Sequence, residues 1–251
     1  MAKFAVITYS TYGHVTALAQ EIAKGVESEG AKAHVFRVPE TLPQEVLEKL
    51  HAPEKPADIP VIKPEDLVEY DGYIFGFPTR FGNIPAQISA FFDSTGGLWA
   101  TGGLYQKPVS FFVSTGSGGG KETTVRSTLS FVAHHGLIYI PLGYGKVFDK
   151  LTNVSAVHGS SPWGVGTIAG SDGSRSPTES ELKTAYIQGS EFAKVASKLA
   201  APATAKSEPV AEQPAAETTQ EASDVKKTAE TEVKNAPPPA KTEKSGCCVI
   251  V

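Results

Sequence analysis

The chain has 251 residues, 40% of them hydrophobic, and a formal net charge of −4. This length and apolar content suffice for the core of one ordinary domain, and the mildly acidic balance without a basic patch argues against nucleic acid as the main partner. No apolar run reaches the roughly 18 residues of a membrane span, and the apolar start is too short for a secretory signal. Both cysteines lie within the last five residues, so the region before residue 200 has neither a disulfide framework nor a cysteine-based metal site.

Short apolar runs alternate with helix-patterned stretches over the first 200 residues. The predicted strands are residues 4–8, 33–38, 72–77, 109–113 and 137–141. The predicted helices are residues 16–29, 86–93, about 122–135, and 179–199. Two irregular excursions interrupt this alternation: residues 39–65, with six prolines, and the glycine-rich residues 142–177. The pattern predicts an α/β fold with a five-stranded parallel sheet and helices on both faces.

The composition changes sharply near residue 200. Residues 201–246 are rich in Ala, Pro, Thr, Lys and Glu and poor in large apolar side chains, which predicts a disordered tether. The last five residues, 247–251, begin with Cys247 and Cys248 and end in the C-a-a-X form of a prenylation signal, with Cys247 placed for palmitoylation. We expect lipidation here, because these two residues are the only cysteines of the chain. A single lipid anchors only marginally, and the neighbouring cysteine offers a second site. Which lipid is attached stays open, and the alternative is a chance pair of terminal cysteines.

Three polar loops follow the first, third and fourth predicted strands. Ligands of such sheets bind at the carboxyl ends of the strands, where the strand order reverses. Residues 10–15 form a polar turn before a helix N-terminus, which suits a phosphate; the turn has no Lys or Arg, so N–H and O–H groups would hold it. This favours the terminal phosphate of a flavin mononucleotide over a magnesium triphosphate. Residues 78–83 carry donors, one cation and one aromatic ring, and the glycine-rich residues 114–120 can approach a planar ring closely.

Two rival nucleotide-binding motifs and one rival metal site can be excluded from the sequence. A Walker loop requires Ser or Thr after Gly120-Lys121, where the chain has Glu122. A GxGxxG fingerprint that starts at Gly116 meets Lys121 where glycine is required. His134 and His135 are adjacent on a predicted helix and point about 100° apart, so they cannot chelate a metal together, and we predict no metal site.

Five runs in the same order carry a resemblance to a known family: residues 9–14, 78–83, 96–100, 114–120 and 133–136. They resemble the WrbA family of flavodoxin-like NAD(P)H:quinone oxidoreductases over residues 3–199, and the tail resembles that of the membrane-associated fungal members. The resemblance implies a flavodoxin-like fold, FMN as cofactor, NAD(P)H as electron donor and a quinone as acceptor. It also implies a homotetramer or homodimer whose sites are completed by neighbouring subunits.

The loops and the resemblance together give the candidate site residues. Those expected to bind the cofactor are Ser10, Thr11, Tyr12, Gly13, His14, Val15, Pro78, Thr79, Arg80, Phe81, Asn83, Ser114, Thr115, Gly116, Ser117, Gly118, Gly119 and His134. The resemblance gives catalytic roles to Tyr12 on the nicotinamide side, to Trp99 as the wall against which the quinone stacks, and to His134 at the flavin edge. Trp99 is expected in a glycine-rich loop, and His135 is expected to cap the end of its helix. The alternatives are that Tyr12 covers the first helix, that Trp99 is ordinary surface and that Arg80 is a solvated charge.

The predicted function is FMN-dependent, two-electron reduction of a quinone by NAD(P)H, with an antioxidant role. The lipidation signal predicts that the protein works at the cytoplasmic face of a membrane, such as the plasma membrane, as well as in the cytoplasm. The alternative is a membrane-anchored flavoprotein that acts as an interaction or regulatory module with little turnover. The intact motif set favours the enzyme, whereas the tail is compatible with both.

Overall fold

The computed structural model describes residues 1–200, so the predicted tether (201–246) and lipidation signal (247–251) lie outside the described residues. The strands are β1 (Lys3–Thr8), β2 (Lys32–Arg37), β3 (Gly72–Pro78), β4 (Pro108–Thr115), β5 (Ile138–Tyr139) and β6 (Gly166–Ile168). The helices are α1 (His14–Ser28), α2 (Gln44–Lys49), α3 (Ala86–Asp93), α4 (Gly96–Ala100), α5 (Lys121–His135), α6 (Phe148–Leu151) and α7 (Glu179–Leu199), with a 3₁₀ helix at Pro64–Glu69.

The sheet is parallel throughout and has the order β2-β1-β3-β4-β5. Val6 of β1 lies beside Val35 of β2 on one side and Ile74 of β3 on the other. The chain therefore winds in one direction from β1 to β2 and in the opposite direction from β3 onward. The predicted α/β fold is confirmed, and its switch point lies between β1 and β3.

The fifth position of the sheet is divided between two short strands. β5 pairs with the start of β4 (Val109 beside Tyr139), and β6 pairs with its end (Val113 beside Gly166). The predicted strand 137–141 is thus too long, since Pro141 has no N–H to continue the ladder. Between these two pairings, the side chain of Gln188 in α7 fills the gap beside β4. Its Oε1 accepts from the N–H of Val165 at 2.6 Å, and its Nε2 donates to the carbonyl of Phe111 at 2.9 Å.

Both faces of the sheet are covered, as predicted. Alternate side chains of β1 divide between the faces: Phe4 and Val6 pack with α1 and α7, while Ala5 and Ile7 pack on the side of α3 and α5. Every residue of β3 and β4 is buried. Such near-continuous burial is typical of the central strands of parallel sheets.

Helices α1 and α7 touch at two glycines. A Cβ atom added to Gly25 would lie 2.0 Å from the carbonyl oxygen of Tyr186, and one added to Gly189 would lie 2.0 Å from the carbonyl oxygen of Ile22. The helix backbones are therefore in direct contact, and neither position has room for a side chain.

A buried histidine, His135, is the last residue of α5, in the layer that α3 and α5 form on the other face of the sheet. The hydroxyl of Thr95 donates to the carbonyl of Phe92 at 2.6 Å and contacts His135 Nε2 at 2.9 Å. Because its one hydrogen is already used, Thr95 must accept from Nε2, so this nitrogen of His135 carries a hydrogen. Burial lowers the pKa of His135, and the neighbouring His134 lowers it further. The prediction that His135 caps its helix is wrong: α5 ends at Gly136 in the left-handed region, and the His135 ring is turned inward.

We expect the free energy of unfolding to fall as the pH is lowered from about 7 to about 5. The unfolded chain protonates its histidines near their ordinary pKa of about 6.5, whereas folded His135 has a lower pKa and stays neutral. Between the two pKa values the unfolded state binds more protons, so stability rises with pH there. Urea unfolding at several pH values should show a weaker pH dependence for His135→Asn than for the wild type. His134→Asn, at the exposed neighbour, is the control; equal slopes for the two variants would contradict the assignment to His135.

Candidate functional site

A cleft lies at the carboxyl edge of the sheet, at the switch point. Four loops line it, those that follow β1, β3, β4 and β6. The lining residues are Ser10, Thr11, Tyr12, His14, Val15, Pro78, Thr79, Arg80, Ser114, Thr115, Gly116, Ala169, Gly170, Ser171, Asp172 and Gly173. The three loops singled out in the sequence therefore meet, and residues 169–173 form a fourth wall that the sequence did not predict.

The first loop leads into an uncapped helix. Gly13 is the residue before α1, has a φ of 91°, and donates its N–H to Ser10 Oγ at 3.0 Å. No side chain caps α1, and its first turn contains no acidic residue. The first-turn N–H groups and the positive end of the helix dipole are thus available to an anion in the cleft.

Arg80 brings a positive charge to this loop. Its Nη2 donates to Thr11 Oγ1 at 3.3 Å and its Nη1 to the carbonyl of Thr79 at 3.1 Å. The backbones of Arg80 and Asn83 exchange two hydrogen bonds, of 2.8 and 2.9 Å, which close a tight turn with Phe81 and Gly82 in the left-handed region. The interpretation that N–H and O–H groups alone serve an anion is therefore incomplete. Phe81 is fully exposed at the tip of this turn.

Hydrogen bonds tie the second and third loops together. The N–H of Thr79 donates to the carbonyl of Ser114 at 2.9 Å, and the hydroxyls of Thr79 and Thr124 are 2.6 Å apart. Within the third loop, Thr115 Oγ1 accepts the N–H of Gly118 at 2.8 Å. The third loop contributes its first three residues to the cleft wall, and the remaining predicted residues of this loop, Ser117, Gly118 and Gly119, follow them towards α5.

The fourth loop is held by an ion pair between Arg175 and the buried carboxylate of Glu181. Arg175 Nη1 lies 3.1 Å from Glu181 Oε2, and the Glu181 residue is only 1% exposed. Glu181 also accepts hydrogen bonds from Thr167 Oγ1 and from the N–H of Gly159, both at 3.0 Å. The carboxylate thus joins β6, the loop after it and the start of α7. Glu181 also forms a capping box with Thr178. The capping signal at Thr178 located the start of this helix in the sequence, but it gave no information on the cleft.

Tyr12 lines the mouth of the cleft with a half-exposed ring, and its hydroxyl donates to the carbonyl of Leu50 at 3.1 Å. Its side chain therefore joins the first loop to the segment that follows α2. The role of Tyr12 on the nicotinamide side stays a prediction.

Trp99 and His134 lie away from the cleft of their own chain. α5 starts beside the cleft, and His134 stands 13 residues further on, about 20 Å along the helix. Trp99 belongs to the short helix α4, so the prediction that it lies in a loop is wrong. Its side chain is 54% exposed. The residue before α4, Thr95, contacts the end of α5 through His135, so Trp99 and His134 share the end of the molecule remote from the cleft.

Among the helices of residues 1–200, none has the length and apolarity needed to cross a membrane. Within the same residues, no three His, Cys, Asp or Glu side chains are grouped as metal ligands.

Comparison with known proteins gives one family and several close relatives. The family described as NADPH-dependent FMN reductase matches residues 3–147. The chain is 57% identical over 198 residues to "NAD(P)H quinone oxidoreductase YCP4" of Candida albicans, covering 78% of this chain and 69% of the relative. It is 53% identical over 199 residues to "Quinone-oxidoreductase QR2" of Triphysaria versicolor, covering 78% and 96% of the two chains. These matches confirm the resemblance that the motifs indicated.

The solved structures agree on the fold. A WrbA-like flavodoxin from Agrobacterium tumefaciens aligns with a TM-score of 0.51 and 21% identity, over 79% of this chain and 99% of that chain. An oxidised flavodoxin from Bacillus cereus aligns with a TM-score of 0.50 and 16% identity, over 77% and 99% of the two chains. The predicted flavodoxin-like fold is confirmed.

Proposed function

Since the chain belongs to the NADPH-dependent FMN reductase family, we propose that it is an FMN-dependent NAD(P)H:quinone oxidoreductase that reduces quinones by two electrons. The observation that carries this proposal is the cleft at the switch point, with an uncapped helix N-terminus on one side and glycine-rich backbone on the other. The printed names of the relatives, "NAD(P)H quinone oxidoreductase" and "Quinone-oxidoreductase", support the choice of donor and acceptor.

The residues of the cleft fit FMN. The first-turn N–H groups of α1, the hydroxyls of Ser10 and Thr11, and the Arg80 guanidinium suit a doubly charged phosphate. Thr115 and Gly116 would contact the polar edge of a flat ring system. When bound, FMN would supply the acceptor for a hydride from the nicotinamide and the donor of two electrons to the quinone. Tyr12 offers a flat face at the mouth, where the nicotinamide would stack.

A second copy of the chain completes the cleft in this proposal. Trp99 and His134 are remote from the cleft of their own chain and exposed, so they are free to contact the cleft of a neighbour. We assign the quinone wall to the neighbour's Trp99 and the flavin edge to the neighbour's His134, in a homodimer or homotetramer. This arrangement reconciles the roles that the resemblance implies with the position of the two residues in one chain.

The membrane location and the antioxidant role are also part of the proposal. The terminal pair Cys247 and Cys248 supports lipid attachment, and lipid-soluble quinones are reached most directly from a membrane surface. Release of the protein from isolated membranes by hydroxylamine would indicate a thioester-linked lipid. Protein that remains in the soluble fraction of cells producing the full chain would contradict the location.

The direct test is to purify the full chain with FMN and to follow oxidation of NADH and NADPH with and without benzoquinone. We expect quinone-dependent oxidation and little oxidation without an acceptor. Bound flavin with no turnover would favour instead the alternative function, a flavoprotein that acts as an interaction or regulatory module.

Replacing Trp99 by alanine should lower kcat/KM for benzoquinone by about fivefold, because the stacking face contributes on the order of 1 kcal/mol. The FMN content and the rate of flavin reduction by NAD(P)H should stay unchanged. Trp99→Phe, which keeps an aromatic face, should recover most of the loss. Tyr186→Ala, at an exposed aromatic residue of α7 on the other face of the sheet, is the control. An unchanged kcat/KM in Trp99→Ala would remove Trp99 from the quinone site.

A further inference from the structure

The segment of residues 39–65 packs against the back of the first cleft loop. Lys55 Nζ donates to the carbonyl oxygen of Ser10 at 2.8 Å, and the carbonyl of Leu50 accepts from the Tyr12 hydroxyl at 3.1 Å. Ser10 and Tyr12, which line the cleft, are thus held by a segment that does not line it. The first of these contacts places a full positive charge on a backbone oxygen of the loop.

A half-buried carboxylate, that of Glu40, fixes Lys55 in this position. Glu40 Oε2 lies 3.4 Å from Lys55 Nζ, and this oxygen has no hydrogen-bond partner among the described residues. Glu40 Oε1 accepts from Gln87 Nε2 at 2.9 Å and from the N–H groups of Thr41 and Leu42 at 3.0 and 3.2 Å. Burial raises the pKa of Glu40, but these hydrogen bonds and the charge of Lys55 outweigh it, so the pKa lies below its ordinary value. The carboxylate is therefore ionised and anchors the ammonium group.

The geometry of the peptide bond links Lys55 to the cleft. In a trans peptide the C=O of one residue and the N–H of the next point in opposite directions. An ammonium group that holds the Ser10 oxygen at the back of the loop therefore directs the Thr11 N–H away from it. A cation on the oxygen also polarises the whole amide, which makes the N–H a stronger donor.

We propose that Lys55 is a positioning residue for the phosphate of FMN: it fixes and polarises the Ser10–Thr11 peptide so that the Thr11 N–H faces the phosphate. Lys55 does not touch the phosphate. Its partner Glu40 keeps the pair close to neutral, so the effect passes through the peptide and not through a long-range field. This inference rests on the proposed FMN site.

The test compares two flavins that differ in the phosphate. Apoprotein is titrated with FMN and with riboflavin, and the quenching of flavin fluorescence gives each Kd. Lys55→Gln should raise the Kd for FMN by about tenfold, the usual effect of losing one hydrogen bond to a charged group. The Kd for riboflavin should change less than about twofold, since riboflavin has no phosphate. Lys55→Arg, which keeps a charged donor, should recover most of the affinity for FMN.

Lys49→Gln is the matched control, because Lys49 is an exposed lysine of the same segment at the end of α2. A double variant, Glu40→Gln with Lys55→Gln, removes the carboxylate of Glu40 as well and covers the case in which Lys55→Gln alone fails to fold. Equal losses of FMN and riboflavin affinity would overturn the inference, as would an unchanged Kd for FMN. Failure of the wild-type apoprotein to bind FMN would overturn the proposed cofactor site itself.

Discussion

Replacing Gly189 in α7 by alanine is expected to lower the free energy of unfolding by about 2 kcal/mol. The added methyl group would lie 2.0 Å from the carbonyl oxygen of Ile22, so α1 and α7 would have to separate along their contact. Overpacking of this kind usually costs about 1–3 kcal/mol, and here the clashing atom belongs to the backbone, which cannot turn aside. The better helix propensity of alanine offsets about 1 kcal/mol at most. Urea unfolding followed by circular dichroism measures the difference.

Gly96→Ala provides the matched control for this prediction. Gly96 is also helical, and a Cβ atom added to it meets no atom within 4 Å. This substitution should therefore be neutral, or stabilising by up to about 1 kcal/mol. Comparable unfolding curves for the Gly189 and Gly96 variants would show that the two helices can move apart freely, contrary to the direct backbone contact.

The second large effect concerns the charge of the cleft. Thr11→Asp should weaken FMN binding by about 100-fold relative to Thr11→Asn, a variant of nearly the same shape without the charge. A carboxylate at this position would repel the phosphate and would also neutralise Arg80, whose Nη2 now contacts Thr11 Oγ1 at 3.3 Å. Two like charges about 4 Å apart interact by about 4 kcal/mol at the effective dielectric constant of a protein surface, more than the 2.7 kcal/mol that 100-fold requires.

Riboflavin, which has no phosphate, is the control ligand in this experiment. The two Thr11 variants should bind riboflavin equally, and the difference in their FMN affinities should shrink at high salt, because ions screen the repulsion. Equal FMN affinities for Thr11→Asp and Thr11→Asn would mean that the phosphate lies away from the first loop, and the orientation of FMN in the proposed site would have to be reversed.

Much of the fold was predictable because its signals are local. Buried apolar runs marked β1, β3 and β4, and the rule for parallel sheets placed the loops after them at one edge. The strand β6 was missed because Gly166–Ile168 has three residues and begins with glycine, which leaves no period to recognise. The fourth wall of the cleft, residues 169–173, was missed for the same reason. Its position depends on the pairing of β6 with β4, two strands that are distant in sequence.

The loops that line the candidate site could be predicted from the sequence, but the residues that hold these loops in place could not. Ser10 and Thr11 could be assigned to a phosphate from their place before a helix, but Lys55 lies 45 residues later in a segment whose path no local pattern specifies. Trp99 and His134 illustrate a different limit. Their residue types and motifs were recognisable, whereas their distance from the cleft depends on the length of α5 and on the packing of α4 against its end.

The divided fifth strand makes one region of this protein suitable for engineering. The chain leaves the sheet after β5 and returns to the same position at β6, so added residues between them lengthen a surface connection without shifting either ladder. Doubling such a loop costs only about 0.6 kcal/mol. Val154, 98% exposed within this connection, is a natural point for a peptide tag or a single dye-labelled cysteine, since the chain's own cysteines are confined to its last five residues.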